Sequence, residues 1–334
     1  MDRMPALSVA AVPGRRQWTI ELAQDIERRG FTGIYTPSVA GDSMAFCQAL
    51  AMATHEIMFG TSIAPIYFRQ TADYAATASF IHETSGGRFR FGIGVSHAPA
   101  LAARGISGGK PLSDIRSFVG DYEAAPRTGD KAPIVLATLR KKMILLSEEI
   151  ASGMVFANGA LSHVSESLSV LSDESRKGDF FIGNMIPTCI SKDIQAAKAV
   201  NRRTLTSYAM LPNYRNYWKE AGYFEEMNAI EQAIADGNPE KVHEFLTDEW
   251  LADTTLFGTP TQVRDGVEAW FDAGIKTPIL VPSSANGNQI VAFEELLARV
   301  EGLAGRNKDG EDKTLIKVGD LTLDLVNRKV LRGD

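Results

Sequence analysis

A (β/α)8 TIM barrel with a helical insertion between its seventh and eighth strands is the fold class that this sequence predicts, on three observations. Eight short apolar runs of strand character occur along the chain. Longer segments of helical period alternate with them, the pattern of βα units around a parallel sheet. About 90 residues separate the seventh run from the eighth, far more than one crossover needs.

The runs cover residues 6–12, 33–36, 57–64, 89–95, 134–138, 153–157, 180–186 and 278–281. Helical segments are expected between them at 17–29, 45–54, 71–83, 113–124, 141–151 and 162–171, and eight such units close a barrel. The insertion, about 191–273, passes through the aromatic stretch AMLPNYRNYWKEAGYFEEM to a final amphipathic helix, TPTQVRDGVEAWFDAG. Tyr214, Tyr217, Trp218, Tyr223 and Phe224 within it read more simply as helix-packing residues than as the lining of a substrate or subunit pocket. The barrel unit is therefore assigned to 1–304, and a charged linker with two β-like runs to 305–334. The tail segment VGDLTLDLVNRKVLRGD is similar to the opening strands of the winged-helix domain of OmpR-type response regulators. It carries no recognition helix, so a frayed tail or a strand added to a neighbour's sheet is expected.

Composition narrows the function. The 334 residues are 44% hydrophobic and 23% charged, the balance of a soluble globular protein with a large core. A net charge of −6 supplies no global basic field for nucleic acid or anionic lipid, so any anionic ligand must be held locally. Two distant cysteines, Cys47 and Cys189, define neither a disulfide framework nor a CxxC metal site, which suits a reducing, cytoplasmic setting. No signal-peptide pattern opens the sequence, and no apolar run approaches the length of a membrane span.

Three motifs fail on inspection. GIGVSH, with Gly92 and Gly94, lacks the third glycine of a dinucleotide fingerprint, because His97 stands where close helix packing demands the smallest residue. The His-Glu pairs at His55, His82 and His243 lack a second histidine four residues on, so no metal site is expected. GTSIA around Ser62 has Ala64 in place of the second glycine of a nucleophile elbow.

What remains is selected by position, since barrel enzymes build their sites at the C-terminal ends of the strands. Small or polar residues there are Ser62 and Ile63, then Gly94, Ser96 and His97, then Ala137, Thr138, Arg140 and Lys141, then Asn158, and finally Ser283 and Ser284. Arg140 and Lys141 open a helix whose free N–H groups also favour anions, so the pair reads either as a phosphate seat or as two solvated basic side chains. His97, beside the Gly-rich loop ARGISGGKP, could donate to a ligand or move a proton near neutral pH.

The chain resembles the bacterial luciferase-like family of flavin- and deazaflavin-dependent oxidoreductases. The resemblance is carried by ELAQDIERRGFTGIYTPS, IMFGTSIAPIYFRQTADYAATASFIHETSGGRFRFGIGVSHAP, GKPLSDI and WLADTTLFGTPTQVRDGVEAWFDAGIKTPILVPSS, within about residues 6–300, with SGGRFRFGIGVS the most specific piece. It implies a barrel that holds FMN or coenzyme F-420 at its C-terminal mouth, with the ring against a bulge at Ser62-Ile63 where the family often has a cis peptide. It also implies that Ser96 and Thr138 to Lys141 look after the phosphate tail, and that the reaction is hydride transfer or oxygen activation on a small organic substrate. Homodimers are implied as well, and the charge-poor helices 45–54 and 71–83 suit such a contact.

Two departures stand out against the family pattern. Ser38 occupies the place of a histidine common in active members, and Val95 that of an arginine on the FMN phosphate. His97 is the expected replacement proton handler, the missing arginine modestly favours the deazaflavin, and the alternative is a non-catalytic barrel acting as partner subunit or binding protein.

Overall fold

The structure is a computed structural model. It describes residues 3–38 and 41–298, together with the backbone of three tail strands. Eight parallel strands close a barrel: β1 (Ala6–Ser8), β2 (Gly33–Thr36), β3 (Met58–Thr61), β5 (Phe89–Gly94), β6 (Ile134–Ala137), β7 (Gly153–Ala157), β8 (Phe181–Ile190) and β10 (Thr277–Ser283), the last pairing with both β8 and β1. The short β4 (Ala64–Pro65) resumes the third run after a break and pairs with β5. Each of the eight expected runs falls on one barrel strand. A further strand, β9 (Leu256–Gly258), pairs with the far end of β8 and was not expected, because three residues inside a helical stretch carry no legible period.

Alternation along the strands explains the two apolar layers. Leu7, Ile34, Phe59, Phe91, Leu136, Met154 and Ile182 face the helices. Ala6, Tyr35, Val135, Val155, Phe181 and Ile279 fill the lumen. β3 and β5 approach so closely that a Cβ at Gly60 would overlap the Arg90 carbonyl oxygen, and one at Gly92 the Thr61 carbonyl oxygen.

The ring of helices opens with α1 (Arg16–Arg28), α2 (Ser43–Ala53), α3 (Thr71–Thr84), the short α4 (Ala98–Ala102) and α5 (Pro111–Ala124). It continues with α6 (Lys141–Ile150), α7 (Leu161–Leu168) and α8 (Asp173–Lys177). Between β8 and β9 come α9 (Ile194–Ala209), α10 (Pro212–Glu220), α11 (Phe224–Ala235), a 3-10 turn at Pro239–Phe245 and α12 (Asp248–Thr254). These helices enclose a core of their own, from Leu205 through Trp218 and Met227 to Trp250 and Leu251. By contrast α13 (Pro260–Asp272) sends Val263, Val267, Trp270 and Phe271 into the barrel's outer layer, and α14 (Gln289–Leu297) adds Phe293, Leu296 and Leu297.

The SGGRF segment owes its structural importance to Arg88. Its guanidinium donates to the carbonyls of Ala51, Thr54, Ile57 and Ser85 and to Thr54 Oγ1, which ties the end of α2 to the start of β3. Glu27 completes the corner by accepting the N–H groups of His55, Glu56 and Ile57 at 2.7–2.9 Å. Burial pushes its carboxyl pKa up, but these three N–H groups and Arg88 hold it below the usual carboxylate value.

In the tail, Leu315–Val318, Leu321–Asp324 and Lys329–Arg332 form a three-stranded antiparallel sheet of their own, one strand more than the sequence suggested. No helix among the described residues is long and apolar enough to cross a membrane.

Candidate functional site

The lumen is plugged at its lower level and open in composition at the strand C-termini. Below, the Tyr35 and Phe181 rings pack at 5.5 Å between centroids, tilted by 42°, and the Arg90 guanidinium sits over Phe181 at 5.1 Å. Burial raises the Tyr35 hydroxyl pKa to about 12, with Arg90 opposing. Strand alternation then makes Ser8, Ser62, Gly94, Ala137 and Ala157 the last inward-facing positions of their strands, and Met185 faces inward on β8 at the level of Ala157. Five of these six are small, so a flat floor replaces the side-chain packing found beneath.

Three of the expected site residues meet on that floor. The Ser62-Ile63 peptide bond is cis, at the position implied by the family resemblance. A Cβ built on Gly94 would lie 3.0 Å from Ala137 Cβ and 3.1 Å from Ile63 Cγ1 and Cδ1, so Ile63, Gly94 and Ala137 form one continuous surface. Ser62 Oγ donates across the lumen to Met185 Sδ at 2.9 Å, which fixes the serine beside this surface.

Polar groups rise around the floor from the following strands. Thr138 and Asn158 are 5% and 4% exposed, and neither Thr138 Oγ1 nor Asn158 Nδ2 has a hydrogen-bond partner among the described residues. Asn158 adopts a left-handed backbone, φ 58°, and the insertion holds it there: Trp218 Nε1 donates to its carbonyl at 3.1 Å. Two residues on, Tyr217 Oη accepts the Ala160 N–H at 3.0 Å. Ser96 is also left-handed, φ 63°, and turns the chain sharply out of β5 toward His97.

His97 precedes α4 and is flanked by two rings of the insertion, Tyr208 at 6.0 Å and Tyr214 at 5.7 Å between centroids. Burial pushes its imidazole pKa below 6.5, so the ring is neutral at pH 7. Sequence position alone does not mark Tyr208, which stands one residue before the aromatic stretch AMLPNYRNYWKEAGYFEEM. Of the aromatic residues in that stretch, Tyr217 and Trp218 are buried in helix packing and Tyr223 donates to Asp253; Tyr214 also reaches His97.

Of the basic pair that the sequence offers as a phosphate seat, one member is already in an ion pair. Arg140 caps α6, but its guanidinium is engaged by Glu220 at the end of α10, with Nε at 2.8 Å from Oε1. Lys141 beside it is exposed. Ser38, in the place of the family histidine, shares a hydrogen bond with Ser43 Oγ at 2.7 Å. Ser283 ends β10, and Ser284 Oγ accepts the Asn286 N–H, a turn role.

Beside Ser96 the Gly-rich loop roofs a cavity of about 380 Å³ lined by Tyr67, Val95, Leu101, Ile106 and Ser107. Tyr67 anchors the loop, donating to Asp114 at 2.5 Å and accepting the Gly109 N–H. A larger hollow of about 500 Å³ lies between α5 and α6, on the outside of the barrel and away from the strand ends.

Comparison with known proteins places this geometry. The sequence matches the model of the luciferase-like monooxygenase family over residues 9–119 and 111–277. A Mycobacterium tuberculosis protein named as a coenzyme F-420-dependent oxidoreductase is 23% identical, over 79% of this chain and 90% of its own. The 5,10-methylenetetrahydromethanopterin reductase of Methanolobus tindarius is also 23% identical, over 80% and 90%. Among solved structures, the F-420-dependent tetrahydromethanopterin reductase of Methanopyrus kandleri superposes with a TM-score of 0.69 at 16% identity, over 88% of this chain and 97% of its own. The FMN complex of the oxygenating constituent of 3,6-diketocamphane monooxygenase from Pseudomonas putida gives 0.58 at 16%, over 88% and 97%.

Proposed function

The chain belongs to the luciferase-like monooxygenase family, and from that premise we propose that it is an oxidoreductase that binds coenzyme F-420 or FMN across the C-terminal mouth of the barrel. The observation that carries this reading is the floor of Ile63, Gly94 and Ala137 above a plugged lumen, with two buried, unpartnered polar atoms beside it. A flat heterocycle with hydrogen-bonding edges fits that combination. It has apolar support below, and Thr138 Oγ1 and Asn158 Nδ2 gain the partners they lack, relieving a cost of about 1–3 kcal/mol for each buried unpaired group. Lys141, with Arg140 once released from Glu220, would hold the phosphate tail, and Ser96 would add a hydroxyl to it.

When bound, either cofactor supplies two-electron chemistry at its ring. The chain supplies orientation, exclusion of water and proton handling. The floor would support the ring from below, while Tyr208 and Tyr214 shield the side where His97 stands. His97 Nδ1 or Nε2, neutral at pH 7, can accept a proton from a small organic substrate or return one. Of the two cofactors the deazaflavin is favoured. Val95 replaces the FMN-phosphate arginine, and relatives named for F-420 are among both the curated matches and the better-superposing structures. The non-catalytic alternative rests on Ser38 and Val95 alone.

We also propose a homodimer through α2 and α3, which pack on one another and leave Met52 71% and Phe80 50% exposed. A cytoplasmic setting accords with two free, buried cysteines. Titration of the purified protein with F-420 and with FMN, followed by cofactor fluorescence, tests the central reading. Saturable binding of at least one is expected, and binding of neither overturns it.

A further inference from the structure

Three polar side chains from three separate elements end close together above the floor. His97 comes from the end of β5, Asn158 from the end of β7 and Tyr208 from α9 of the insertion. The Tyr208 ring stands edge-on to His97, at an interplanar angle of 89°. Tyr214 backs it at 5.0 Å and so restricts its rotation. Burial raises the pKa of the Tyr208 hydroxyl, and the Asn158 amide that faces it works in the opposite direction. The two face one another, but Asn158 Nδ2 reaches no partner in good hydrogen-bond geometry among the described residues.

We propose that this trio binds one uncharged carbonyl or carbinol oxygen of the substrate, with the Tyr208 hydroxyl as its donor. The inference rests on the proposed oxidoreductase reading for the site being a substrate site, and goes beyond it in naming the chemical class held there. Counting donors carries the argument. A phenol O–H and an amide N–H can converge on the same acceptor, and a neutral imidazole can give or take a proton beside it. A carboxylate or phosphate would call for a cation, yet His97, Tyr208 and Tyr214 are all neutral at pH 7. A hydrocarbon would leave the second N–H of the Asn158 amide, the one not facing the cofactor, and the Tyr208 O–H without an acceptor. One neutral oxygen satisfies the set.

The test uses the purified full chain and two probe pairs that differ only at the oxygen: cyclohexanone against methylenecyclohexane, and acetophenone against α-methylstyrene. Binding is read from the NMR signal of the His97 ring. At least one ketone should bind at least about tenfold more tightly than its alkene, and Tyr208→Phe should abolish that preference while leaving alkene binding unchanged. No oxygen preference in either pair, or a preference that survives Tyr208→Phe, overturns the proposal. The pH titration of the same signal checks the placement independently of any probe. Tyr208→Phe should leave it unmoved, and Tyr208→Ala should move it up toward 6.5; a titration unmoved by Tyr208→Ala would also overturn the proposal. Parallel cofactor titrations separate the two readings. Lost ketone preference with cofactor binding intact defeats the oxygen site alone. Retained preference with no cofactor binding defeats the oxidoreductase reading.

Discussion

Replacing Gly94 by alanine adds one methyl group to the centre of the floor and nothing elsewhere. Its Cβ would stand 3.0 Å from Ala137 Cβ and 3.1 Å from Ile63 Cγ1 and Cδ1, against about 3.5–4.0 Å for relaxed carbon contacts. Ile63 can rotate by a few tenths of an ångström, but Ala137 Cβ is fixed to its strand. Overpacking should therefore cost about 1–2 kcal/mol of stability. The larger effect is on the ligand, because a ring lying on this surface is lifted by about one bond length, ~1.5 Å. Cofactor affinity should fall at least tenfold, equivalent to about 1.4 kcal/mol. Gly92→Ala is the control. Its methyl would overlap the Thr61 carbonyl oxygen and part β3 from β5, with loss of the 2.6 Å bond from Thr61 Oγ1 to the Gly92 carbonyl, so it should cost about 3 kcal/mol or more. Urea unfolding of the cofactor-free variants measures the first term and fluorescence titration the second. Wild-type cofactor affinity in a folded Gly94→Ala protein would refute the floor assignment.

The Arg140→Ala/Lys141→Ala double variant should bind cofactor at least about tenfold more weakly, whereas Glu220→Gln, which frees the Arg140 guanidinium, should bind it severalfold more tightly. Equal affinities across wild type and both variants, measured by the same titration, would place the phosphate elsewhere. Because burial depresses the His97 pKa, the unfolded chain takes up its proton first as pH falls; stability and activity should both decline as pH drops through 6.5 and below, and His97→Gln should flatten that limb of the pH–rate profile. Met52→Glu with Phe80→Glu should convert a dimer to a monomer near 36 kDa in sedimentation, and a wild-type monomer at micromolar concentration would end the dimer proposal. Arg88→Lys keeps the charge but loses the fork that reaches five acceptors, and should cost about 2–4 kcal/mol in urea unfolding.

The barrel was legible because each strand is an apolar run set off by helical period, and both signals are local. Gly60, Gly92 and Gly94 stood in plain view in GTS and GIG, yet their reason is a distance between two strands. No one-dimensional pattern contains that distance. The same limit explains Arg140, which reads as a free cation beside a helix N-terminus until Glu220, eighty residues later, is brought against it. It also explains Tyr208, whose importance depends on which face of α9 meets the end of β5. Ser62, Ile63 and Asn158 could be chosen by their place after strands, because in a parallel barrel every strand delivers its last residues to the same mouth. Arg88 shows the converse, a residue inside the most specific motif whose work in the structure is to hold a corner together.

The insertion is more than a covering over the barrel. Its own core, with Trp218 and Trp250 packed edge to face at 4.7 Å, gives it a buried base from which to position side chains. From that base Trp218 fixes the Asn158 carbonyl, Tyr217 the Ala160 N–H, Glu220 the Arg140 guanidinium, and Tyr208 with Tyr214 the face of His97. All four contacts fall within three residues of the ends of β5, β6 and β7. The strand ends therefore bring the reacting groups to the mouth, while the insertion sets their final orientation and adds the Tyr208 hydroxyl. Substrate choice in this chain should accordingly change with substitutions in α9 and α10 that leave the floor, and with it cofactor binding, unaltered.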